Sequence, residues 1–331
     1  MLNLPVPRGP LTELLLERLT GPPSALLAAP EPATDEDLHL ALYLCYELHY
    51  RGLPGVDDGW EWQPSLLEVR RRLEQQFEDE LLAAVPRDAE DVAPEEMDLA
   101  LRAIDEADDG PSLSRYLERH GTLEQYREFL AHRSAYQLKE ADPHSWALPR
   151  LWGPPKAAMV EIQADEYGGG RPDRIHAELF AKAMEALGLD RRYGAYVDHL
   201  PAVTLRTVNL MSLCGLHRRL RGAIVGHLAL FEMTSSIPNR RYGDGLRRLG
   251  FSGDATDFFD EHVEADAVHE ALAAVDLAGG LVRQDPSLCG DILWGARCLA
   301  RVEGDWGRSV LDAWERGTSS LRASLDDLVS A

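Results

Sequence analysis

The stretch His262-Val-Glu-Ala-Asp266-Ala-Val-His269 carries three metal-binding side chains at helical spacing. In an α-helix, positions i, i+4 and i+7 fall at about 0°, +40° and −20°, within a sector of roughly 60°. Two imidazoles and one carboxylate from successive turns therefore face one point. The spacing predicts a helix that presents a metal-binding edge.

Helical periodicity extends over most of the chain, and strand signals are scarce. Beyond residue 110, the pattern predicts helical segments at roughly 112–141, 155–187 with a break, 191–234 with a break near Pro201, 254–278, 286–303 and 306–330. The third should end before Pro238, because proline cannot continue a helix without losing a hydrogen bond. These segments predict a compact all-α bundle, an architecture that builds metal sites from facing helices.

Proline-rich punctuation at 5–10, 22–32 and 53–64 separates short helices near the N-terminus. An acidic stretch over 80–110 ends in Gly110-Pro111. We expect a boundary there, between an N-terminal helical extension of unknown role (1–110) and a catalytic domain (111–331).

The 331 residues contain 34 Lys+Arg and 56 Asp+Glu, a net charge of −22. Such a surface repels nucleic acids and anionic lipids, so neither is an expected partner. The four cysteines form no CxxC pair, and no segment approaches the ~18 apolar residues of a membrane span. With no recognisable signal peptide, we expect a cytoplasmic protein.

Other segments offer side chains that could complete a metal site. Glu166 precedes His176 by ten residues, a turn of about −80° in an unbroken helix, but three glycines and a proline between them free the backbone to bring them together. Glu140 lies near the end of a helical segment. Glu232 has apolar neighbours, among which a carboxylate is costly to bury without a positive partner.

This set of imidazoles and carboxylates, without thiolates, suits ferrous iron or manganese better than structural zinc. Two divalent ions would balance four carboxylates. Two alternatives remain at this stage: Glu161 competes with Glu166 as a ligand, and Glu232 could instead form a buried salt bridge with an arginine. The sequence lacks HExxH, GxSxG and Walker A motifs, and it lacks the paired Glu-x-x-His motifs of ferritin-like bundles.

At these residues, over roughly 112–331, the chain resembles the haem-oxygenase-like diiron oxidases and oxygenases, known as iron-containing redox enzymes. The resemblance implies a haem-oxygenase-like helical bundle, two Fe(II)/Fe(III) ions and O2 as cosubstrate. Glu166 would bridge the ions, and Glu232 would be a further, catalytic carboxylate recruited from a mobile helix. The implied metal ligands are Glu140, Glu166, His176, Glu232, His262, Asp266 and His269.

The resemblance further implies oxidation of a small molecule, and we expect an amino acid or amine that undergoes N-oxygenation or C–H oxidation. The alternatives are a desaturase or C–C lyase acting on an amino or fatty acid, a non-catalytic iron-binding protein, and a cofactor-free or haem-binding member of the fold. Use of an external reductant and formation of a homodimer are open.

Arg240 and Arg241 follow Glu232 in a strongly acidic chain. Because arginine binds carboxylates in a bidentate manner, one of them is a candidate anchor for an amino-acid-like substrate. The alternative is that they pair with surface acids such as Asp244 or Asp257.

Overall fold

The computed structural model describes residues 4–325, apart from the side chains of residues 265–268. Over this part of the chain every regular element is a helix, which confirms the predicted all-α class. None of the described helices combines the length and the apolar character of a membrane span.

Four helices form the N-terminal part of the molecule. Thr34 caps the second by accepting a hydrogen bond from the backbone N–H of Asp37, and prolines begin the first and third, where their missing N–H costs nothing. The helices are α1 (Pro10–Leu19), α2 (Asp35–Glu47), α3 (Pro64–Ala84) and α4 (Met97–Glu106).

The remaining helices build the rest of the bundle, and a π-helical stretch, Leu272–Gly279, joins two of them. They are α5 (Leu113–His120), α6 (Leu123–Gln137), α7 (Asp142–Ser145), α8 (Gly153–Glu166), α9 (His176–Ala186), α10 (Ala202–Leu216), α11 (Arg221–Arg248), α12 (Asp257–Ala271), α13 (Gly280–Gln284) and α14 (Cys289–Glu315).

The prediction that a helix ends before Pro238 is wrong, because α11 continues through this proline to Arg248. An interior proline costs roughly 3 kcal/mol. Packing outweighs that cost, since α11 has buried residues on both sides of the proline, including Leu228 before it and Leu246 after it. The predicted break between 303 and 306 is also wrong, because the buried face of α14 continues across it.

Two glycines allow α11 and α14 to cross at close range. A Cβ atom on Gly226 would lie 1.7 Å from the carbonyl oxygen of Ile292, and one on Gly295 would lie 2.1 Å from that of Ala223. Any larger residue at either position would force the helices apart. Gly226 therefore allows close packing, although glycine lowers the intrinsic stability of a helix.

The N-terminal helices share their apolar interior with the rest of the chain. Leu38 and Leu42 of α2 belong to one buried cluster with Ile224 of α11, and Leu40 of the same helix belongs to a second cluster with Phe258 of α12. The predicted boundary near residue 110 stays a prediction, but residues on its two sides pack together.

Candidate metal centre

Five segments bring carboxylates and histidines into the interior of the bundle. Glu140 lies three residues beyond the end of α6, Glu166 ends α8, and His176 begins α9. α11 contributes Glu232, and α12 contributes two histidines. All of these side chains are buried; they are Glu140, Glu166, His176, Glu232, His262 and His269.

The break between α8 and α9 positions Glu166 and His176. Gly168 has a φ of 71°, in the left-handed region, and a Cβ atom there would lie 2.7 Å from the backbone of Arg174. Glycine thus permits both the backbone conformation and the close approach of the following turn. The chain reverses within this short segment, and Nδ1 of His176 lies 2.9 Å from Oε2 of Glu166.

The first group of potential ligands consists of Glu140, Glu166, His176 and His262, whose ligand atoms lie within 4.8 Å of one another. The imidazole Nδ1 of His262 lies 2.8 Å from the carbonyl oxygen of Phe258, an acceptor, and so carries the proton. A neutral His262 therefore has its lone pair on Nε2, which lies 3.5 Å from Oε1 of Glu140. Metal-binding histidines usually have this arrangement, in which one ring nitrogen donates a hydrogen bond and the other carries the lone pair for the metal.

The second group consists of Glu166, Glu232 and His269, again with ligand atoms within 4.8 Å of one another. Nδ1 of His269 lies 3.3 Å from Oε2 of Glu232, and its Nε2 lies 3.1 Å from Oδ2 of the more exposed Asp165. The carboxylate of Asp165 at Nε2 fixes the orientation of the ring and leaves Nδ1, on the side of Glu232, for a cation. Glu166 belongs to both groups.

Burial raises the pKa of the carboxyl groups of Glu140, Glu166 and Glu232 above the ordinary value. His262 lowers the pKa of Glu140 and Glu166, and His269 lowers that of Glu232, without cancelling the effect of burial. Three carboxylates in one buried site therefore need positive charge close by.

His176 and His269 differ in their surroundings. Burial, reinforced by His262, lowers the pKa of His176 to about 4. Burial also disfavours the charged form of His269, but the carboxylates of Glu232, Asp165 and Glu166 outweigh it and raise the pKa of His269 to about 9. The second group is thus the more negative environment.

Unpaired polar atoms in the first group fit a bound cation. Oε2 of Glu140, Oε2 of Glu166 and Nδ1 of His176 are buried and make no hydrogen bond within the described part of the chain. His176 and Glu166 are close, but their geometry is not that of a hydrogen bond. Imidazole nitrogen and carboxylate oxygen without thiolate are suitable ligands for iron, so the residues present fit the metal.

A cavity adjoins both groups. Its polar lining beyond the potential ligands comes from Tyr136, His144, Gln163 and Ser235, and its apolar lining comes from Ala141, Leu228 and Phe231. Burial, with Glu140 adding to the effect, raises the pKa of Tyr136, so its hydroxyl keeps its proton. Because the cavity is narrow, it can hold a small molecule next to the potential ligands only if some of these side chains move.

The structure brings together six of the seven predicted ligands, while the side chain of Asp266 lies outside the described residues. The alternative ligand Glu161 is exposed and belongs to neither group. The carboxylate of Glu232 faces His269, and no arginine is paired with it among the described residues.

The predicted substrate anchors lie away from the cavity. Arg240 is exposed, and Nη1 of Arg241 lies 3.3 Å from the hydroxyl of Ser114 on α5. Because α11 continues as a helix, Arg240 is about 12 Å further along it than Glu232. The role of Arg240 or Arg241 as a substrate anchor stays a prediction. The alternative acid Asp244 pairs with Arg247 instead.

The sequence interpretation missed three residues around the site: Gln163, Asp165 and His144. Gln163 lies three residues before Glu166, and this spacing places both on one face of α8. Asp165 is adjacent to Glu166. His144 lines the cavity but belongs to none of the spacing patterns in the sequence.

A family model described as iron-containing redox enzyme matches residues 127–304, more than half of the chain. The chain belongs to the iron-containing redox enzyme family. This match confirms the predicted resemblance and the haem-oxygenase-like all-α fold.

The chain is also similar to a nitrosourea synthase from Streptomyces achromogenes subsp. streptozoticus. The two are 30% identical over 191 residues, which cover 56% of this chain and 40% of that enzyme. The chain thus matches less than half of the length of this relative.

Proposed function

We propose that this protein is an O2-dependent diiron oxidoreductase that oxidises a nitrogen atom of a small amine, guanidine, urea or amino acid. The observation that carries the proposal is the position of Glu166 in both groups of potential ligands. A shared carboxylate would hold two ions close together, as cooperation of two metals on one O2 molecule requires. The name of the similar nitrosourea synthase favours nitrogen over carbon as the oxidised atom.

The two irons would be held by Glu140, Glu166, His176 and His262 on one side and by Glu166, Glu232 and His269 on the other, with Asp266 as a further ligand from the same edge of α12. Ferrous ions bound there would supply two electrons for the reduction of O2. Conversion of one N–H to N–OH by O2 also yields one water and uses two electrons and two protons. Repeated turnover therefore needs an external reductant.

The protein contributes orientation and exclusion of water. The bond from His262 to the carbonyl of Phe258 fixes the tautomer that exposes Nε2, and Asp165 orients His269. Leu228 and Phe231 form an apolar wall that limits the access of water to the reacting atoms.

The proposal predicts substrate-dependent O2 uptake by the Fe(II)-loaded protein. In a screen of amino acids, amines, guanidines, ureas and fatty acids, at least one nitrogen compound should stimulate O2 uptake and gain one oxygen atom, as seen by mass spectrometry. His262→Ala should lower the stimulated rate more than about 100-fold. Loss of a group that only hydrogen-bonds to a metal ligand typically costs about 10- to 100-fold, and loss of the ligand itself should cost more. His120→Ala, which changes an exposed histidine outside both groups, should retain the rate.

The products separate the alternatives. Loss of two hydrogens would indicate a desaturase, and fragmentation of the substrate would indicate a C–C lyase. Iron binding without any stimulated O2 uptake across the screen would contradict the enzymatic proposal and favour a non-catalytic iron-binding protein.

A further inference from the structure

The side-chain carbonyl of Gln163 is a buried acceptor without a donor. Gln163 lies on α8 and lines the cavity beside Glu166, and its side chain is almost entirely buried. Its Oε1 makes no hydrogen bond within the described part of the chain. A buried acceptor of this kind normally has a donor, so the missing donor is expected to come from a molecule in the cavity.

The orientation of this amide is fixed by its other end. Nε2 of Gln163 lies 2.9 Å from the carbonyl oxygen of Ala141 and 2.7 Å from Oγ of Ser145. A carbonyl oxygen can only accept a hydrogen bond, so the nitrogen of the amide must face Ala141. Oε1 is therefore the atom left without a partner, and a flipped amide would leave two acceptors facing each other.

The donor and the acceptor can be assigned for each hydrogen bond next to the Gln163 amide. Tyr167 donates to the carboxylate of Asp142 over 2.9 Å, so Ser145, at 2.9 Å from the same hydroxyl, donates its proton to Tyr167. Ser145 must then accept from Gln163. Both N–H groups of the amide are thus committed to neighbours.

The segment that holds the amide is strained. Ala141 has a φ of 72°, in the left-handed region that residues other than glycine rarely adopt. Its carbonyl accepts from both Gln163 and the backbone N–H of Ser145, which keep this conformation in place. Backbone strain of this kind occurs preferentially at functional sites. Ala141 directly follows Glu140, a potential metal ligand.

Three other amide oxygens of the described residues also lack a partner, those of Gln137, Asn209 and Gln284. None of these residues lines the cavity. Gln163 differs from them because its free oxygen belongs to a side chain that lines the cavity next to the candidate metal centre, and Gln284 offers a matched control.

We propose that Oε1 of Gln163 accepts a hydrogen bond from an N–H group of the substrate and so selects substrates whose reacting end is an amine, guanidine, urea or amide. This inference rests on the proposed function, since it names the substrate chemistry of the same site. The competing donor is a metal-bound water molecule, in which case Gln163 would act on the metal centre and not on the substrate.

Paramagnetic NMR on the Mn(II)-loaded protein tests the proposal without catalysis. Manganese enhances the proton relaxation of small molecules that bind close to it, and methylurea and methylguanidine are the probes. We expect enhancement with both probes in the unmodified protein and none with tetramethylurea, which lacks N–H. Gln163→Leu should weaken binding of the probes roughly tenfold, since one hydrogen bond to a buried group is lost. Gln284→Leu should leave binding unchanged.

Equal binding of the probes by Gln163→Leu would overturn the proposal, and so would equal enhancement with tetramethylurea. A Gln163→Leu protein that changes only the relaxation of water protons, measured without a probe, would assign the donor to metal-bound water and would also overturn it. No enhancement with either N–H probe in the unmodified protein would also overturn it. Substrate-dependent O2 uptake would still leave the proposed function standing. If Gln163→Leu does not fold, Gln163→Met, which keeps an unbranched side chain, replaces it.

Discussion

Replacing Glu166 with alanine should prevent the binding of both iron ions that we propose for this protein. Glu166 is the residue that the two groups of potential ligands share, and it is buried at the end of α8. Loss of an outer partner of a metal ligand typically weakens metal binding 10- to 100-fold, so loss of a shared ligand should exceed about 100-fold at each site. Iron per chain, measured after anaerobic loading and desalting, should fall from two to near zero.

Variants that affect one site each provide the controls. His176→Ala should lose the first ion and retain the second, and His269→Ala should do the reverse. Asp165→Asn should weaken only the second site, by about 10- to 100-fold, because its carboxylate bonds Nε2 of His269. A Glu166→Ala protein that keeps one ion at full affinity would show that this carboxylate does not bridge.

Replacing Glu47 with alanine should strongly destabilise the folded protein. Glu47 forms a completely buried ion pair with Lys139 and also accepts a hydrogen bond from Tyr193. The ammonium group of Lys139 lies 4.2 Å from the ring centre of Tyr50. Removal of one partner leaves an uncompensated buried charge, which typically costs about 3–5 kcal/mol. Urea denaturation should show a reduction of this size in the free energy of unfolding.

The double variant Glu47→Leu/Lys139→Met separates the pair from the space that it fills. An apolar replacement of a buried ion pair is often neutral or stabilising, so the double variant should be more stable than Glu47→Ala. A Glu47→Ala protein that loses less than about 1 kcal/mol would contradict the role of the pair. Lys139 directly precedes Glu140, so the pair ties α2 of the N-terminal region to the segment that carries a potential ligand.

Parts of the grouping of potential ligands were predictable from short-range geometry, whereas the complete ligand set was implied by the resemblance to a known family. The spacing of His262 and His269 is a property of a single helix. The glycines at 168–170 indicate the chain reversal that brings Glu166 close to His176. Glu232 was detectable because a carboxylate among apolar neighbours requires a positive partner.

Features that depend on distant contacts were not predictable. The local cost of Pro238 suggested a helix end, but packing of α11 against other helices overrides it. Because α11 continues past Pro238, Arg240 lies away from the cavity. The free acceptor of Gln163 becomes visible only once Ala141 and Ser145 are seen to occupy its nitrogen.

The most direct test of the proposed diiron centre is an anomalous difference map from crystals of the protein loaded anaerobically with Fe(II). The predicted result is two iron peaks per chain. One should lie among Glu140, Glu166, His176 and His262, the other among Glu166, Glu232 and His269, with Glu166 in contact with both. A single peak, or iron bound at other residues, would contradict the account.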